Sequence, residues 1–210
     1  MPKTKPFDKY YEEYEHWFEQ NRYAYESELK AVKHFTPESG KGIEIGSGSG
    51  RFSMPLGIKE GIEPSFSMRK LAHNAGMEAI FGLAEHLPLE DASYDFTLMV
   101  TTICFVDRPQ QSVNEMNRIL KPGGYAVIGF VDKDSPIGKI YQEHKNKSKF
   151  YRDAHFFSAE EVKDLLVQAG FLNIEFVQTL FGKLDEVDSV QDYKPGYGEG
   201  SFVVVKGEKV

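Results

Sequence analysis

The chain has 210 residues, a formal net charge of −7 and a hydrophobic fraction of 40%. This length accommodates one α/β domain with a substantial core and excludes two large domains. The acidic balance disfavours a general binder of nucleic acid or anionic membranes, and the single cysteine excludes an intrachain disulfide and a cysteine-only metal site. No apolar run approaches the ~18 residues of a membrane span, and the start carries no secretory signal pattern. We therefore expect a cytoplasmic protein without membrane, nucleic-acid or metal partners.

The N-terminal segment, residues 8–34, is acidic and aromatic and contains no glycine or proline. This composition predicts one or two helices. Side chains at helical spacing share one face, and aromatic residues recur in this way at Tyr10, Tyr14, Trp17 and Phe18. Packing against a core explains such a face, and a lid over a bound ligand is the functional alternative. We predict a lid, with Tyr10, Tyr14 and Trp17 on its substrate side.

Strand and helix signals alternate from residue 42 to about residue 132. Two segments are typical of helices, the first with Ser65 as N-cap and Gly76 at its end: PSFSMRKLAHNAG and RPQQSVNEMNRIL. Five segments between turns are typical of strands: GIEIG, IKEGIE, MEAIFG, YDFTLMVTT and YAVIGFVD. The alternation predicts a parallel sheet with helices on its faces.

The remaining part of the chain follows a different pattern. The segment SAEEVKDLLVQAG is a predicted helix with Ser158 as N-cap and Gly170 at its C-terminal end. Two further strands are predicted at FLNIEFVQTLF and SFVVVKGEKV. No helix is predicted between them, so this pair is most simply antiparallel.

The segment GIEIGSGSGR, residues 42–51, follows the first predicted strand and has the spacing Gly-x-Gly-x-Gly at positions 46, 48 and 50. A dinucleotide-binding loop requires G-x-G-x-x-G, in which the third glycine packs helix against strand. Arg51 stands at that third position. The phosphate-binding pattern G-x-x-x-x-G-K-[ST] is also absent. The loop therefore disfavours an NAD-dependent oxidoreductase.

Two acidic residues accompany the glycine loop. Glu44 lies inside the first predicted strand, where a carboxylate needs a partner, and Glu63 ends the second strand, where ribose hydroxyls are often bound. A ligand with an α-amino acid at one end and a ribose in the middle would meet both carboxylates. S-adenosylmethionine has this constitution.

Five ordered blocks carry a family resemblance over about residues 40–175: EIGSGSG, GIEPSFSMRKLA, AEHLPLEDASYDFTLMV, NEMNRILKPGG and HFFSAEEVKDLLVQAGF. They resemble class I S-adenosylmethionine-dependent methyltransferases, of the small type similar to ubiquinone/menaquinone-biosynthesis methyltransferases. The resemblance implies a Rossmann-like three-layer α/β sandwich, with a seven-stranded, mostly parallel sheet and an antiparallel last strand. It implies a single methyltransferase domain over residues 1–210, composed of a helical lid (1–36), a cofactor-binding core (40–132) and a C-terminal half with substrate-side segments (133–210).

The resemblance also implies which residues contact S-adenosylmethionine. Glu63 would bind the ribose hydroxyls, and Pro64 and Met68 would border the adenine. Where the family usually has an aspartate, this chain has Leu83, so either Glu85 or the backbone accepts from the adenine amino group, or the affinity for the cofactor is lower. The predicted cofactor contacts are Glu44, Gly46, Ser47, Gly48, Gly50, Glu63, Pro64, Met68, Ala84, Glu85, Thr101 and Thr102.

Methyl transfer from a sulfonium is an in-line displacement that depends mainly on positioning, so the sequence need not contain a catalytic constellation. A base is needed only if the acceptor starts protonated, and His155 is the candidate to test. We predict methyl transfer to a small-molecule acceptor that the sequence does not identify. The alternatives are a non-catalytic ligand-binding module on the same fold and, less favoured, an NAD-dependent oxidoreductase. A nucleic-acid methyltransferase is disfavoured because TTICF replaces the Asn/Asp-Pro-Pro-aromatic pattern.

Overall fold

Three helices precede the sheet in the computed structural model, which describes residues 3–210: α1 (Lys5–Lys9), α2 (Tyr11–Gln20) and α3 (Arg22–Phe35). The sequence predicted one or two helices here. The chain leaves helical geometry at Tyr10 (φ −119°, ψ 30°) and again at Asn21 (φ −111°, ψ 41°). Neither position holds a glycine or a proline, so no sequence signal marks these breaks.

One continuous sheet follows, in the spatial order β3-β2-β1-β4-β5-β8-β6-β7. The strands β1 to β5 are parallel, and β8 runs antiparallel to both of its neighbours, β5 and β6. The mostly parallel sheet and the antiparallel last strand are thus confirmed. Strand β7 is a two-residue addition at the edge, which brings the count to eight against the seven predicted. The bounds are β1 (Gly42–Ile45), β2 (Glu60–Ile62), β3 (Glu78–Ile80), β4 (Tyr94–Val100), β5 (Leu120–Val131), β6 (Phe171–Thr179), β7 (Lys194–Pro195) and β8 (Phe202–Lys209).

Four longer helices connect the strands. Ser65 caps its helix by accepting from the Met68 amide, and Ser158 forms a reciprocal capping box with Glu161, so both predicted N-caps are confirmed. The segment after the glycine loop forms only a short 3₁₀ turn at Met54–Leu56. The four helices are α4 (Phe66–Asn74), α5 (Pro109–Ile119), α6 (Pro136–His144) and α7 (Ala159–Gln168).

Both faces of the sheet are buried, as the alternation of side chains along a strand requires. In β4, Met99 belongs to the core shared with α5 and α7, whereas Leu98 belongs to the core beneath α3. In β8, Val203 and Val204 divide between the same two cores. The result is a three-layer α/β sandwich. No helix within residues 3–210 is long and apolar enough to cross a membrane.

The strand order reverses between β1 and β4, which is the position where open parallel sheets bind ligands. The glycine loop leaves the carboxyl end of β1, and Thr101 and Thr102 follow β4. The Thr102 hydroxyl donates to the Gly46 carbonyl at 3.1 Å and ties these two strand ends together. The fold thus creates a cleft beside the glycine loop.

Candidate active site

A cavity of about 290 Å³ lies at this switch point. Its floor is formed by the glycine loop and by the residues that follow β2, β3 and β4. The N-terminal helices supply the other side through Phe7, Tyr14 and Phe18. This volume lies at the lower end of the range found for small-molecule sites, about 300–1,000 Å³.

The glycine loop requires glycine at two positions for different reasons. Gly46 has φ +74°, and a Cβ there would lie 2.3 Å from the side chain of Thr102. Gly48 has φ +54°, and a Cβ there would meet no atom within 4 Å. Gly46 thus allows the close approach of two strand ends, whereas Gly48 leaves open space beside the cavity.

The Glu63 carboxylate joins the glycine loop to the start of α4. Its Oε2 accepts from the Gly48 amide at 2.9 Å, and its Oε1 accepts from the Ser65 amide at 2.7 Å. Burial raises the pKa of Glu63 to about 7, although these two amide hydrogen bonds act in the opposite direction. A ligand that donates hydrogen bonds would stabilise the charged form of this carboxylate.

Glu44 is a second buried carboxylate beside the cavity, with 2% of its surface exposed. Its partner in the protein is the Ser53 hydroxyl, which donates to Oε2. Burial, with a smaller contribution from the negative charge of Glu63, raises the pKa of Glu44 to about 8. The hydrogen bonds from Ser53 act in the opposite direction. The remaining carboxylate oxygen is suited to a cationic or hydroxyl donor of a ligand.

Thr101 lines the cavity in a strained conformation. Its φ of +49° lies in the left-handed region, which β-branched residues rarely occupy and which costs on the order of 1–3 kcal/mol. Its amide donates to the Gly129 carbonyl at 2.8 Å. Strained residues of this kind concentrate at functional sites.

Two acidic side chains fasten the N-terminal helices to this site. Glu15 on α2 accepts from the Ser49 hydroxyl and from Arg51, whose Nε and Nη2 lie 2.7 Å and 2.6 Å from Oε2. Arg51 stands where a dinucleotide-binding loop has its third glycine, and it forms an ion pair with Glu15 on α2.

The second attachment is at α1. Asp8 Oδ1 accepts from the Ser65 hydroxyl at 2.7 Å and from the Ser67 amide at 3.1 Å. The Ser67 hydroxyl donates to the Asp8 carbonyl at 3.0 Å. The helices α1 and α2 are thus attached to both loops that carry the predicted ribose contacts.

The structure brings nearly all of the predicted cofactor residues to one cavity. Gly50 does not line it, because its backbone turns behind the loop towards Met54 and Met77. The predicted residues that do line it are Glu44, Gly46, Ser47, Gly48, Glu63, Pro64, Met68, Ala84, Glu85, Thr101 and Thr102. The contact of each with a cofactor stays a prediction.

Three other predicted residues lie outside this cavity. Tyr10 packs against Phe150, and Trp17 packs edge-on against Phe18, so only Tyr14 of the predicted substrate-side residues lines the cavity. His155 is exposed, its amide donates to the Cys104 carbonyl at 2.7 Å, and its ring contacts Phe157. Its role as a base stays a prediction, without support from its position.

Several lining residues were not among the predicted site residues. Phe7, Phe18 and Phe105 form an aromatic wall together with Tyr14, and Phe7 contacts Tyr14 and Phe105 edge-on at 5.5 Å and 5.1 Å. Phe18 shares a helical face with Tyr14 and could have been included from that spacing. Phe7 and Phe105 are far apart in the sequence and carry no local signal that pairs them.

The lining residues fit S-adenosylmethionine. Glu44 and Glu63 provide buried carboxylates for amino and hydroxyl donors, and Gly48 leaves space for close approach. Met68 and Leu83 provide an apolar surface suited to a purine ring. These are the chemical groups that the amino acid, ribose and adenine parts of the cofactor require.

Comparisons with known proteins agree with this geometry. Residues 43–128 match a family described as a methyltransferase domain. An S-adenosylmethionine-dependent methyltransferase of Thermotoga maritima, described as a "possible histamine N-methyltransferase", matches 99% of this chain and 100% of its own with 50% identity and a TM-score of 0.96. An uncharacterized protein of Methanocaldococcus jannaschii is 47% identical over 97% of this chain and 98% of its own length. A demethylmenaquinone methyltransferase of Staphylococcus aureus is 26% identical over 64% of this chain and 68% of its own.

Three observations support one assignment: the sheet topology, the cavity at the switch point, and the relative that is 50% identical along its full length. The chain belongs to the class I S-adenosylmethionine-dependent methyltransferases, and its cofactor is S-adenosylmethionine.

Proposed function

We propose that this protein transfers a methyl group from S-adenosylmethionine to a small-molecule acceptor. The observation that carries the proposal is the continuity of one cavity from the glycine loop and Glu63 to the aromatic wall on the N-terminal helices. When bound, the cofactor supplies an already activated methyl group. The protein then has to hold the acceptor in line and exclude water, and a cleft covered on one side by the N-terminal helices is suited to both tasks.

We further propose that residues 1–36 act as a lid, within which the structure describes residues from 3 onward. The attachments at Asp8 and Glu15 support this role, because they hold α1 and α2 over the cavity. Residues 40–132 would then form the cofactor-binding core. The segments from residue 133 onward contribute to the acceptor side, since Phe150 packs against Phe7 and Tyr14.

We propose an amine as the acceptor class. Aromatic ring faces attract cations, and four aromatic side chains line the acceptor side of the cavity. Among the cationic side chains that line the cavity, Arg51 is paired with Glu15 and the Lys3 ammonium lies 3.6 Å from Asp107, so these two offer little to an anionic acceptor. The description of the Thermotoga maritima relative, quoted above, is consistent with this class. The ring faces would bind the ammonium form, which has to release its proton to water before the transfer, because an ammonium nitrogen has no free electron pair to accept the methyl group.

The test is a methyl-transfer assay with labelled S-adenosylmethionine and three sets of small acceptors: primary amines including histamine, phenols, and quinols. We expect labelled product with an amine, and less product with Glu63→Gln when the cofactor concentration is below saturation. Transfer only to phenols or quinols would contradict the amine class and retain the methyltransferase. Cofactor binding without transfer to any set would favour the non-catalytic module.

A further inference from the structure

Two buried carboxyl groups line the cavity, and within residues 3–210 the hydrogen bonds that they accept come from neutral donors. Glu44 is 2% exposed and Glu63 is 7% exposed. Glu44 accepts from Ser53, and Glu63 accepts from the Gly48 and Ser65 amides. A buried carboxylate without a counter-ion is costly, and such a group tends to stay protonated.

The charges around Glu63 do not supply this counter-ion. Arg69 on α4 acts on Glu63 and favours its ionised form, but the Arg69 Nη1 donates to the Glu63 carbonyl at 2.6 Å, on the backbone. Asp8 on α1 acts in the opposite direction, because its charge repels that of Glu63. The two effects oppose each other, and burial decides the ionisation of Glu63.

Glu44 also lacks a free cation beside it. Arg51 follows the glycine loop and is paired with Glu15 on α2, so these two charges largely cancel. The other titratable side chains that interact with Glu44 are Tyr14 on α2 and Tyr25 on α3. Burial raises the pKa of both tyrosines, so both phenols are neutral at pH 7.

The two glutamates also act on each other. Ionisation of one raises the cost of ionising the other, so they titrate as a pair. Burial raises the pKa of Glu63 to about 7 and that of Glu44 to about 8. At pH 7 the ligand-free pair therefore holds at least about one proton.

S-adenosylmethionine brings the donors and positive charges that this pair lacks. In the proposed placement its ammonium group lies at Glu44 and its ribose hydroxyls lie at Glu63, and the sulfonium connects these two parts of the molecule. Hydrogen bonds and nearby positive charge both favour the ionised form of a carboxyl group. We infer that cofactor binding ionises the Glu44 and Glu63 pair and releases about one proton to the solvent at pH 7, so that affinity for the cofactor increases with pH. The inference rests on the cofactor placement in the proposed function.

The test is titration calorimetry of S-adenosylhomocysteine into the full-length protein at pH 7 in two buffers, PIPES and Tris. This ligand keeps the ammonium and ribose groups of the cofactor. The buffers differ in their enthalpy of ionisation, so the difference between the two measured heats gives the number of protons released. We expect at least about half a proton per ligand, and a dissociation constant that decreases about tenfold from pH 6 to pH 8.

Four variants assign the protons. Glu44→Gln and Glu63→Gln each remove one carboxyl group and should release fewer protons than the unaltered protein. Glu28→Gln is the matched control, because Glu28 is 4% exposed and burial raises its pKa to about 8, but it does not line the cavity. His86→Asn is the second control, because His86 lines the cavity and histidine side chains exchange protons near neutral pH. Both controls should release as many protons as the unaltered protein.

Release of less than about half a proton by the unaltered protein, or uptake of protons, would overturn the inference. Release that persists in both Glu44→Gln and Glu63→Gln, or that disappears in His86→Asn, would overturn it as well. The absence of any binding would contradict the cofactor placement itself, so failure of the proposed function is distinguishable. If neither glutamine variant at the pair binds the ligand, the unaltered protein and His86→Asn decide the question.

Discussion

At the scale of single residues, Glu63 is the side chain on which the proposed placement of the cofactor depends most. It holds the glycine loop and the start of α4 together, and it faces the cavity as a buried carboxylate. Its position at the end of a predicted strand was visible in the sequence. Its two amide partners come from different loops and were not.

Substitution of Glu63 by alanine should weaken binding of S-adenosylhomocysteine by about 1–3 kcal/mol, because the ribose hydroxyls lose their acceptor. Titration calorimetry below the melting temperature of both proteins measures this loss. Glu78→Ala is the control, since Glu78 is an exposed carboxylate on the edge strand β3. Unchanged affinity in Glu63→Ala would show that the ribose lies elsewhere.

The aromatic residues of the N-terminal helices show why sequence spacing alone does not identify all the side chains that line the cavity. Tyr10, Tyr14 and Trp17 share a face only if the helix is continuous, and the chain leaves helical geometry at Tyr10. On α2, Phe18 rather than Trp17 lies with Tyr14 on the cavity wall. A helix break without glycine or proline is decided by tertiary contacts, which the local sequence does not contain.

At the scale of elements, α2 is attached to the glycine loop by a charged pair that sequence analysis did not anticipate. In the sequence, Arg51 only disfavours a dinucleotide-binding loop. Its partner Glu15 lies 36 positions earlier, and no local pattern links the two. The strands and the capped helices, by contrast, depend on short-range patterns and were predicted well.

The proposed lid leads to a prediction for Glu15→Gln. The substitution keeps the shape of the side chain but removes the charge that pairs with Arg51, a partly buried interaction of about 1 kcal/mol or less. We expect S-adenosylhomocysteine to dissociate up to about fivefold faster, with little change in the melting temperature. Stopped-flow measurement of the dissociation rate tests this expectation.

The matched control for the lid is Glu13→Gln, on the same helix. Glu13 pairs with Lys149 at the surface and does not line the cavity. This variant should release the ligand at the unaltered rate. An unaltered rate in Glu15→Gln would mean that the pair of Glu15 and Arg51 does not restrict exchange of the ligand.

At the scale of the whole molecule, three buried carboxyl groups lead to a prediction for the pH dependence of stability between about pH 5 and pH 8. Burial raises the pKa of Glu28 and of Glu44 to about 8 and that of Glu63 to about 7, from ordinary values of 4.5. Between about pH 5 and pH 8 the folded chain therefore binds more protons than the unfolded chain. Stability consequently falls as the pH rises through this window.

We expect the melting temperature of the ligand-free protein to decrease from pH 5 to pH 8.5.

Glu28→Gln should raise the melting temperature at pH 8.5 and change it little at pH 5, because only the charged form of Glu28 is costly to bury. Calorimetric scans of both proteins across the window provide the measurement. The exposed residue Glu143 supplies the control variant Glu143→Gln, whose effect should not differ between the two pH values. A melting temperature that rises with pH through this window would contradict the account.

The position of β8 has a consequence for synthesis on the ribosome. This strand lies between β5 and β6, and its residues Phe202 to Val205 are fully buried, although it is translated after every other described strand. Until it emerges, β5 and β6 each present an unpaired edge, which is a template for aggregation. The half of the sheet that carries the glycine loop is complete much earlier. A nascent chain can therefore form its cofactor cleft before β8 pairs with β5 and β6. A ligand bound in the cleft would stabilise the incomplete domain until β8 has been translated.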